Sequence, residues 1–157
     1  MQYKIIIEGC DGTGKTTLAK KLIRKYGIRS YVHINKDDAN DYLFYLASLG
    51  KTDVIYDRHF IGEMIYPKVF GREGNLQYSD FARLLYAARE AGYKIIILHS
   101  RFDVLKSRIK IDEHSEVANQ LEEINEQFFE IGKKWKIPMF DTSKCLFDEI
   151  CEVIESE

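Results

Sequence analysis

Eight consecutive residues, Gly9-Cys10-Asp11-Gly12-Thr13-Gly14-Lys15-Thr16, have the composition of a loop that holds phosphate. They satisfy the pattern G-x-x-x-x-G-K-[ST] in full, directly after a short apolar run and directly before a helical pattern. Glycines let the backbone wrap an anion with its N–H groups, and the following helix adds the positive end of its dipole. Lys15 can neutralise β- and γ-phosphate oxygens, and the Thr16 hydroxyl can face a Mg²⁺ ion. The expected ligand is ATP with Mg²⁺, contacted by Gly9 through Thr16 and by Thr17.

A second group with chemical potential is Asp57-Arg58-His59, which follows the apolar run Thr52–Tyr56. An acid at such a strand end can complete the magnesium site begun by Thr16; it can equally pair with Arg58 or cap a helix. His33, His59, His99 and His114 fall on different elements, which counts against a metal cluster. Cys10, Cys145 and Cys151 have no ligand spacing, and an odd number with one inside the glycine loop predicts reduced thiols and a cytoplasmic protein. A formal net charge of −2, with charges of both signs interspersed, gives no field to draw the protein onto nucleic acid or a membrane. An anionic ligand must therefore be held locally, which disfavours a DNA substrate but leaves it open. No run is apolar enough to span a bilayer, and the opening residues lack a secretory leader.

The elements that must position these groups alternate. Strands are expected over Tyr3–Glu8, Ser30–Asn35, Thr52–Tyr56, Tyr93–Leu98 and Ile137–Phe140. Tyr93–Leu98 is the most apolar and is expected to be central. Helices are expected over Lys15–Tyr26, over Asp37–Leu49 with Leu43, Leu46 and Leu49 inward, and after a Ser79 cap. Further helices are expected at Asp103–Ile109, along the stripe Val117–Trp135, and at Leu146–Glu157. The stretch 60–77 reads as partly helical with a loop. At 157 residues, one α/β domain covering 1–157 is expected. Its parallel sheet has helices on both faces and binds its ligand at the carboxyl ends of the strands.

Glu8-Gly9-Cys10-Asp11-Gly12-Thr13-Gly14-Lys15-Thr16-Thr17 is similar to the E-G-x-D-G-x-G-K-T-T of thymidylate kinases, and Asp57-Arg58-His59 to their D-R-[YHF]. Glu63-Met64-Ile65-Tyr66 followed by Arg72 resembles a run of the short phage-type deoxynucleoside monophosphate kinases, with Gly62 where a serine is usual. The order of elements is matched throughout the chain, whereas the specific motifs occupy its first half. The resemblance implies a three-layer P-loop kinase fold with strand order 2-3-1-4-5 and a short lid. It implies that Asp11 faces the acceptor or its sugar, that Arg58 binds the acceptor phosphate, and that Arg72, with Glu63 and Tyr66, helps hold the acceptor. Arg108 resembles a lid arginine that closes over ATP, Thr142 stands where such kinases often contact adenine, and His59 could touch substrate. Thymidylate kinases often form homodimers through helix packing.

Two departures bear on the acceptor. Where thymidylate kinases carry an arginine-containing R-E-P-x-G segment, this chain reads Asn35-Lys36-Asp37-Asp38. Lys36 could replace the arginine against a phosphate, or Asp37 or Asp38 could deprotonate a hydroxyl acceptor. The lid, Lys110–Ser115, is short and lacks D-R-x-E. Tyr66, Phe70 and Tyr78 offer aromatic faces for a base or simply fill the core. The leading expectation is phosphoryl transfer from ATP to a pyrimidine deoxynucleoside monophosphate of dTMP or dUMP type. The alternatives are a hydroxyl acceptor, either a nucleoside or a hydroxymethylated base in DNA, and a nucleotide-dependent switch with no acceptor.

Overall fold

Strands β1 (Lys4–Glu8), β2 (Ser30–His33), β3 (Val54–Asp57), β4 (Lys94–His99) and β5 (Met139–Asp141) form one parallel sheet in the computed structural model. Their order is β2-β3-β1-β4-β5, the P-loop kinase order. The structure describes residues 1–38, 40–109, 115–144 and 146–157, and only the backbone of 115–119. Most of the expected lid, Lys110–Ser115, lies outside the described residues. Among the described residues no helix is long and apolar enough to cross a membrane.

The sheet has a core on each face because successive side chains of a strand point oppositely. Ile5, Ile7, Ile55, Ile96 and Leu98 meet α1 (Lys15–Tyr26) and α7 (Phe147–Glu155) on one side. Ile6, Val54, Tyr56, Ile95 and Ile97 meet the opposite layer of α2 (Tyr42–Ser48), α3 (Tyr66–Val69), α4 (Tyr78–Glu90), α5 (Phe102–Arg108) and α6 (Ser115–Lys134). β4 is interior, as its unbroken apolar run requires, but the central place belongs to β1.

Three local expectations are corrected. α2 begins at Tyr42 rather than near Asp37, because Asp41 caps it: its side chain accepts from Phe44 N at 2.9 Å. Leu43 and Leu46 face outward, whereas Tyr45 and the expected Leu49 are buried. The cap of α4 is Gln77 in a reciprocal box with Asp80, not Ser79. Residues 60–77 are partly helical with a loop, as expected: a 3₁₀ turn at Gly62–Met64, the single-turn α3, and a loop to Gln77.

The phosphate loop is pressed against β4. A Cβ built on Gly9 would lie 2.4 Å from the Leu98 carbonyl oxygen, and Gly9 has φ +144°, so a side chain there meets both backbone and torsional strain. Gly9→Ala is expected to cost about 3 kcal/mol of stability. Denaturant unfolding of the variant checks this.

Candidate nucleotide site

β1 ends at Glu8 and α1 starts at Lys15, so the glycine loop spans the gap between a strand carboxyl end and a helix amino end. Gly14 precedes the helix in a left-handed conformation and offers no capping side chain, leaving the first N–H groups of α1 for an anion. Lys15 Nζ and Thr13 Oγ1 both donate to the Cys10 carbonyl, at 3.0 and 2.8 Å. Burial, with the Arg58 charge nearby, pushes the Lys15 ammonium down to about 8. Burial pushes the Cys10 thiol up to about 12, so it stays a thiol.

Asp57 closes the same cleft from β3. Its Oδ2 accepts from Thr16 Oγ1 at 2.8 Å and from the Tyr31 hydroxyl at 2.6 Å, and His33 Nδ1 lies 3.4 Å away. Burial alone would raise its carboxyl; Tyr31, the Lys15 charge and Thr16 outweigh it and keep the group below the ordinary carboxylate range. Oδ1 is buried without a hydrogen-bond partner among the described residues. Thr16 gives its proton to Asp57 and keeps its lone pairs, so the pair fits a hard oxygen-seeking cation such as Mg²⁺.

On the far side of Lys15, Asp11 is bracketed by cations. Arg58 Nη2 donates to Oδ1, and Lys36 Nζ lies 3.1 Å from Oδ2. Burial opposes ionisation, but Arg58, Lys15 and Lys36 hold the Asp11 carboxyl at about 2. Arg58 is itself buried, has φ +72°, and donates to the Tyr66 hydroxyl at 2.7 Å. Arg72 donates to the Lys36 carbonyl at 2.7 Å, and Tyr45 donates to Glu63 Oε1 at 3.1 Å. A small cavity beneath this cluster is lined by Lys36, Tyr45, Arg58, His59, Glu63 and Tyr66 among others. Burial raises the Glu63 carboxyl. His59 is packed among Tyr45, Tyr56 and Phe60, its Nε2 is 2.7 Å from Ser48 Oγ, and burial pushes its ring down to about 3, so it is neutral.

Two clefts meet at the loop. One, of about 370 Å³, holds Asp11, Lys15, Thr16, Thr17, His33 and Asp57; the other, of about 380 Å³, runs between α1 and α7 past Leu18, Lys21, Thr142, Leu146, Phe147 and Ile150. Arg108 borders both. It donates to the Gly12 carbonyl at 3.0 Å, to Thr142 Oγ1 at 3.0 Å and to the Thr142 carbonyl at 2.8 Å, tying the end of α5 to the loop and to the turn after β5.

Most of the residues singled out from the sequence thus converge on one end of the sheet; Asp37 and Asp38, on an exposed turn, and the aromatics Phe70 and Tyr78 line neither cleft. Phe70 stacks on Tyr66 with ring centroids 6.0 Å apart, and Tyr78 lies against Trp135. Sequence reasoning missed Tyr31, His33 and Phe147, which stand on elements with no motif, and Lys21, which lies on α1 beyond the end of the motif. It also gave Glu8 no role. Glu8 Oε1 accepts from the backbone N–H groups of His59, Ile61 and Gly62, at 2.9, 3.0 and 3.4 Å. This buried carboxyl therefore grips the turn that carries Arg58. Its place immediately before Gly9 was the available signal.

Residues 2–137 match the family described as Novel STAND NTPase 3. The chain belongs to that family. It is also 24% identical to a curated Saccharolobus solfataricus protein, "Probable thymidylate kinase 1", over 92% of this chain and 90% of the relative. Among solved structures, Bacillus subtilis YorR in complex with phosphorylated GDP superposes with a TM-score of 0.78 at 22% identity, covering 94% of this chain and 91% of YorR. Thymidylate kinase from Candida albicans superposes at 0.60 with 17% identity, covering 99% and 92%. The fold is that of the thymidylate kinase-like P-loop kinases.

Burial raises the Glu8 carboxyl from 4.5 to about 8, against its backbone hydrogen bonds. The folded state favours protonated Glu8, so this contribution to stability is full below about pH 4.5 and is lost as pH rises through about 8. Between about pH 5 and pH 8 the wild type is expected to lose up to about 1.4 kcal/mol per pH unit relative to Glu8→Gln. Parallel denaturant titrations read the difference, and equal slopes would refute a protonated Glu8. A Cβ on Gly62 would lie 3.8 Å from Glu8 Oε2, which has no partner among the described residues, and would meet only the Tyr66 ring at 3.4 Å. Gly62→Ser is expected to raise stability by about 0.5–1.5 kcal/mol by giving that oxygen, which carries the proton of the neutral acid, a hydroxyl to bond to, read as a higher melting temperature.

Proposed function

We propose that the protein transfers the γ-phosphoryl group of ATP to a pyrimidine deoxynucleoside monophosphate of dTMP or dUMP type. The observation that carries this reading is the cationic cluster beside the phosphate loop. Arg58 and Lys36 converge on Asp11, and Arg72 is bonded to the Lys36 backbone. Cations gathered on the acceptor side suit an acceptor that brings a phosphate. A hydroxyl acceptor needs instead a base whose pKa lies near neutrality. Asp11, held at about 2, is too weak a base, and Asp37 and Asp38 stand outside the clefts. The names of the thymidylate kinase relatives agree with this reading.

In this assignment the loop amides and Lys15 hold the donor phosphates, and the cleft between α1 and α7 takes the adenosine, with Thr142 at its edge. Arg108 spans donor phosphate and base. Arg58, exchanging Asp11 for the acceptor phosphate, places that phosphate in line with the donor. Tyr66 orients the Arg58 guanidinium, while Glu63 with Tyr45, and His59 behind them, border the space for the acceptor's sugar or base. Mg²⁺ at Thr16 and Asp57 would offset charge on the β- and γ-phosphates. Because phosphoryl transfer depends on positioning and charge stabilisation, this set of groups suffices without a nucleophile from the protein. The family description as an NTPase supports a second reading, in which triphosphate is hydrolysed and no acceptor is used.

ADP release from ATP and Mg²⁺ with a panel of deoxynucleoside monophosphates, nucleosides and hydroxymethyluracil-containing DNA separates these readings. Stimulation by dTMP or dUMP is expected. Basal hydrolysis with no stimulation by any acceptor would overturn the kinase reading in favour of the NTPase. Arg58→Met is expected to lower kcat/KM for the monophosphate by about 10²–10³ while leaving the KM for ATP nearly unchanged. Equal losses for both substrates would refute the acceptor assignment.

A further inference from the structure

Asp57 meets more partners than the phosphate-loop motif requires. The motif accounts for Thr16, which donates to Oδ2 from the first turn of α1. The edge strand β2 adds two residues that no motif marks. Tyr31 and His33 are two positions apart and so project from the same face of the strand. His33 is paired with Asp57 in the β2–β3 register, and Tyr31 lies one repeat earlier, opposite Ile55. Tyr31 carries its hydroxyl to Oδ2 at 2.6 Å, and His33 Nδ1 approaches the same oxygen at 3.4 Å.

The load on the carboxylate is one-sided. Oδ2 is approached by three groups from two elements, α1 and β2, while Oδ1 is buried with no partner among the described residues. Rotation about the last torsion of an aspartate is soft, so a single hydrogen bond from Thr16 would leave the tilt of the carboxylate plane loosely defined. A second donor arriving from a different strand removes that freedom. With the plane fixed, Oδ2 stays within reach of the Thr16 hydroxyl, which gives its proton to Asp57 and keeps its lone pairs.

We infer that Tyr31 is a positioning residue for the cation half of the triphosphate site: by holding Oδ2 together with Thr16, it fixes the Asp57 carboxylate in the one orientation that keeps the Thr16 hydroxyl bonded to it and its lone pairs free for a metal ion or its hydration shell. The inference rests on the assignment of Mg²⁺ to Thr16 and Asp57 but needs no acceptor, so it holds for a kinase and for a hydrolase alike. Tyr31 touches neither nucleotide nor metal in this role. Outer partners that orient a metal-ligating carboxylate are typically worth about 10–100-fold in metal affinity. Tyr31→Phe removes only the hydroxyl from a residue that is 40% exposed on an edge strand, so its cost to folding is small.

The test is equilibrium binding of a fluorescent ATP analogue to the full chain, wild type and Tyr31→Phe, in Mg²⁺ and in EDTA, with Mn²⁺ binding followed by electron paramagnetic resonance. Tyr31→Phe is expected to match the wild type in EDTA, to lose about tenfold of the affinity gained from Mg²⁺, and to bind Mn²⁺ correspondingly more weakly. Equal affinity of the two proteins in Mg²⁺, or an equal loss in Mg²⁺ and EDTA, overturns the inference. If the wild type itself binds the analogue equally in Mg²⁺ and EDTA, the metal assignment fails rather than the role of Tyr31 alone. Asp57→Asn, expected to abolish the Mg²⁺ gain, identifies that case by showing no change.

Discussion

The parallel pairing of β1 with β3 sets Ile7 opposite Asp57, and the Arg58 amide continues the ladder by donating to the Ile7 carbonyl at 3.0 Å. That register places the start of the phosphate loop beside the turn carrying Asp57 and Arg58. A slip of one residue would turn Asp57 to the other face of the sheet, because side chains alternate along a strand. Every polar contact at the cleft, from Thr16 on Asp57 to Asp11 on Arg58, presupposes this pairing. Glu8 reinforces it by accepting three amides of the 59–62 turn from the last position of β1.

The same proximity creates an electrostatic problem that the structure answers residue by residue. Glu8, Asp11, Lys15, Asp57 and Arg58 lie close together, and Glu8, Lys15, Asp57 and Arg58 are buried. Charges withdrawn from water are tolerated only when paired or neutralised. Asp11 is ionised because Arg58, Lys15 and Lys36 surround it, whereas Glu8 lies deep enough for burial to outweigh its hydrogen bonds. Two acids three residues apart in the chain thus differ in charge because cations outweigh burial at Asp11, while burial outweighs both the amides and the nearby cations at Glu8.

Arg108 illustrates how the two clefts become one site. It borders both and bonds to the phosphate loop on one side and to the turn after β5 on the other. Its contacts are to two backbone carbonyls and one hydroxyl. The kinase-like fold shared with distant relatives supplies this geometry, and the side chains on the acceptor side distinguish one chemistry from another.

The sequence by itself determined the phosphate loop, the alternation of strands and helices, and the strand-end position of Asp57 and Arg58. These follow from local rules: glycine conformation, hydrophobic period and the context of a complete motif. It misplaced the start of α2, because the Asp41 cap competes with an equally plausible acidic start at Asp37, and only packing of Tyr45 decides between them. Tyr31, His33 and Phe147 were illegible because nothing near them in the chain marks them. Tyr31 and His33 acquire meaning when β2 pairs with β3, and Phe147 when α7 packs beside α1. The protonation of Glu8 was likewise beyond the sequence, since it depends on how deeply the finished sheet buries a carboxylate. Local chemistry fixed which residues could act, and tertiary structure decided which of them share water, charge and a cleft.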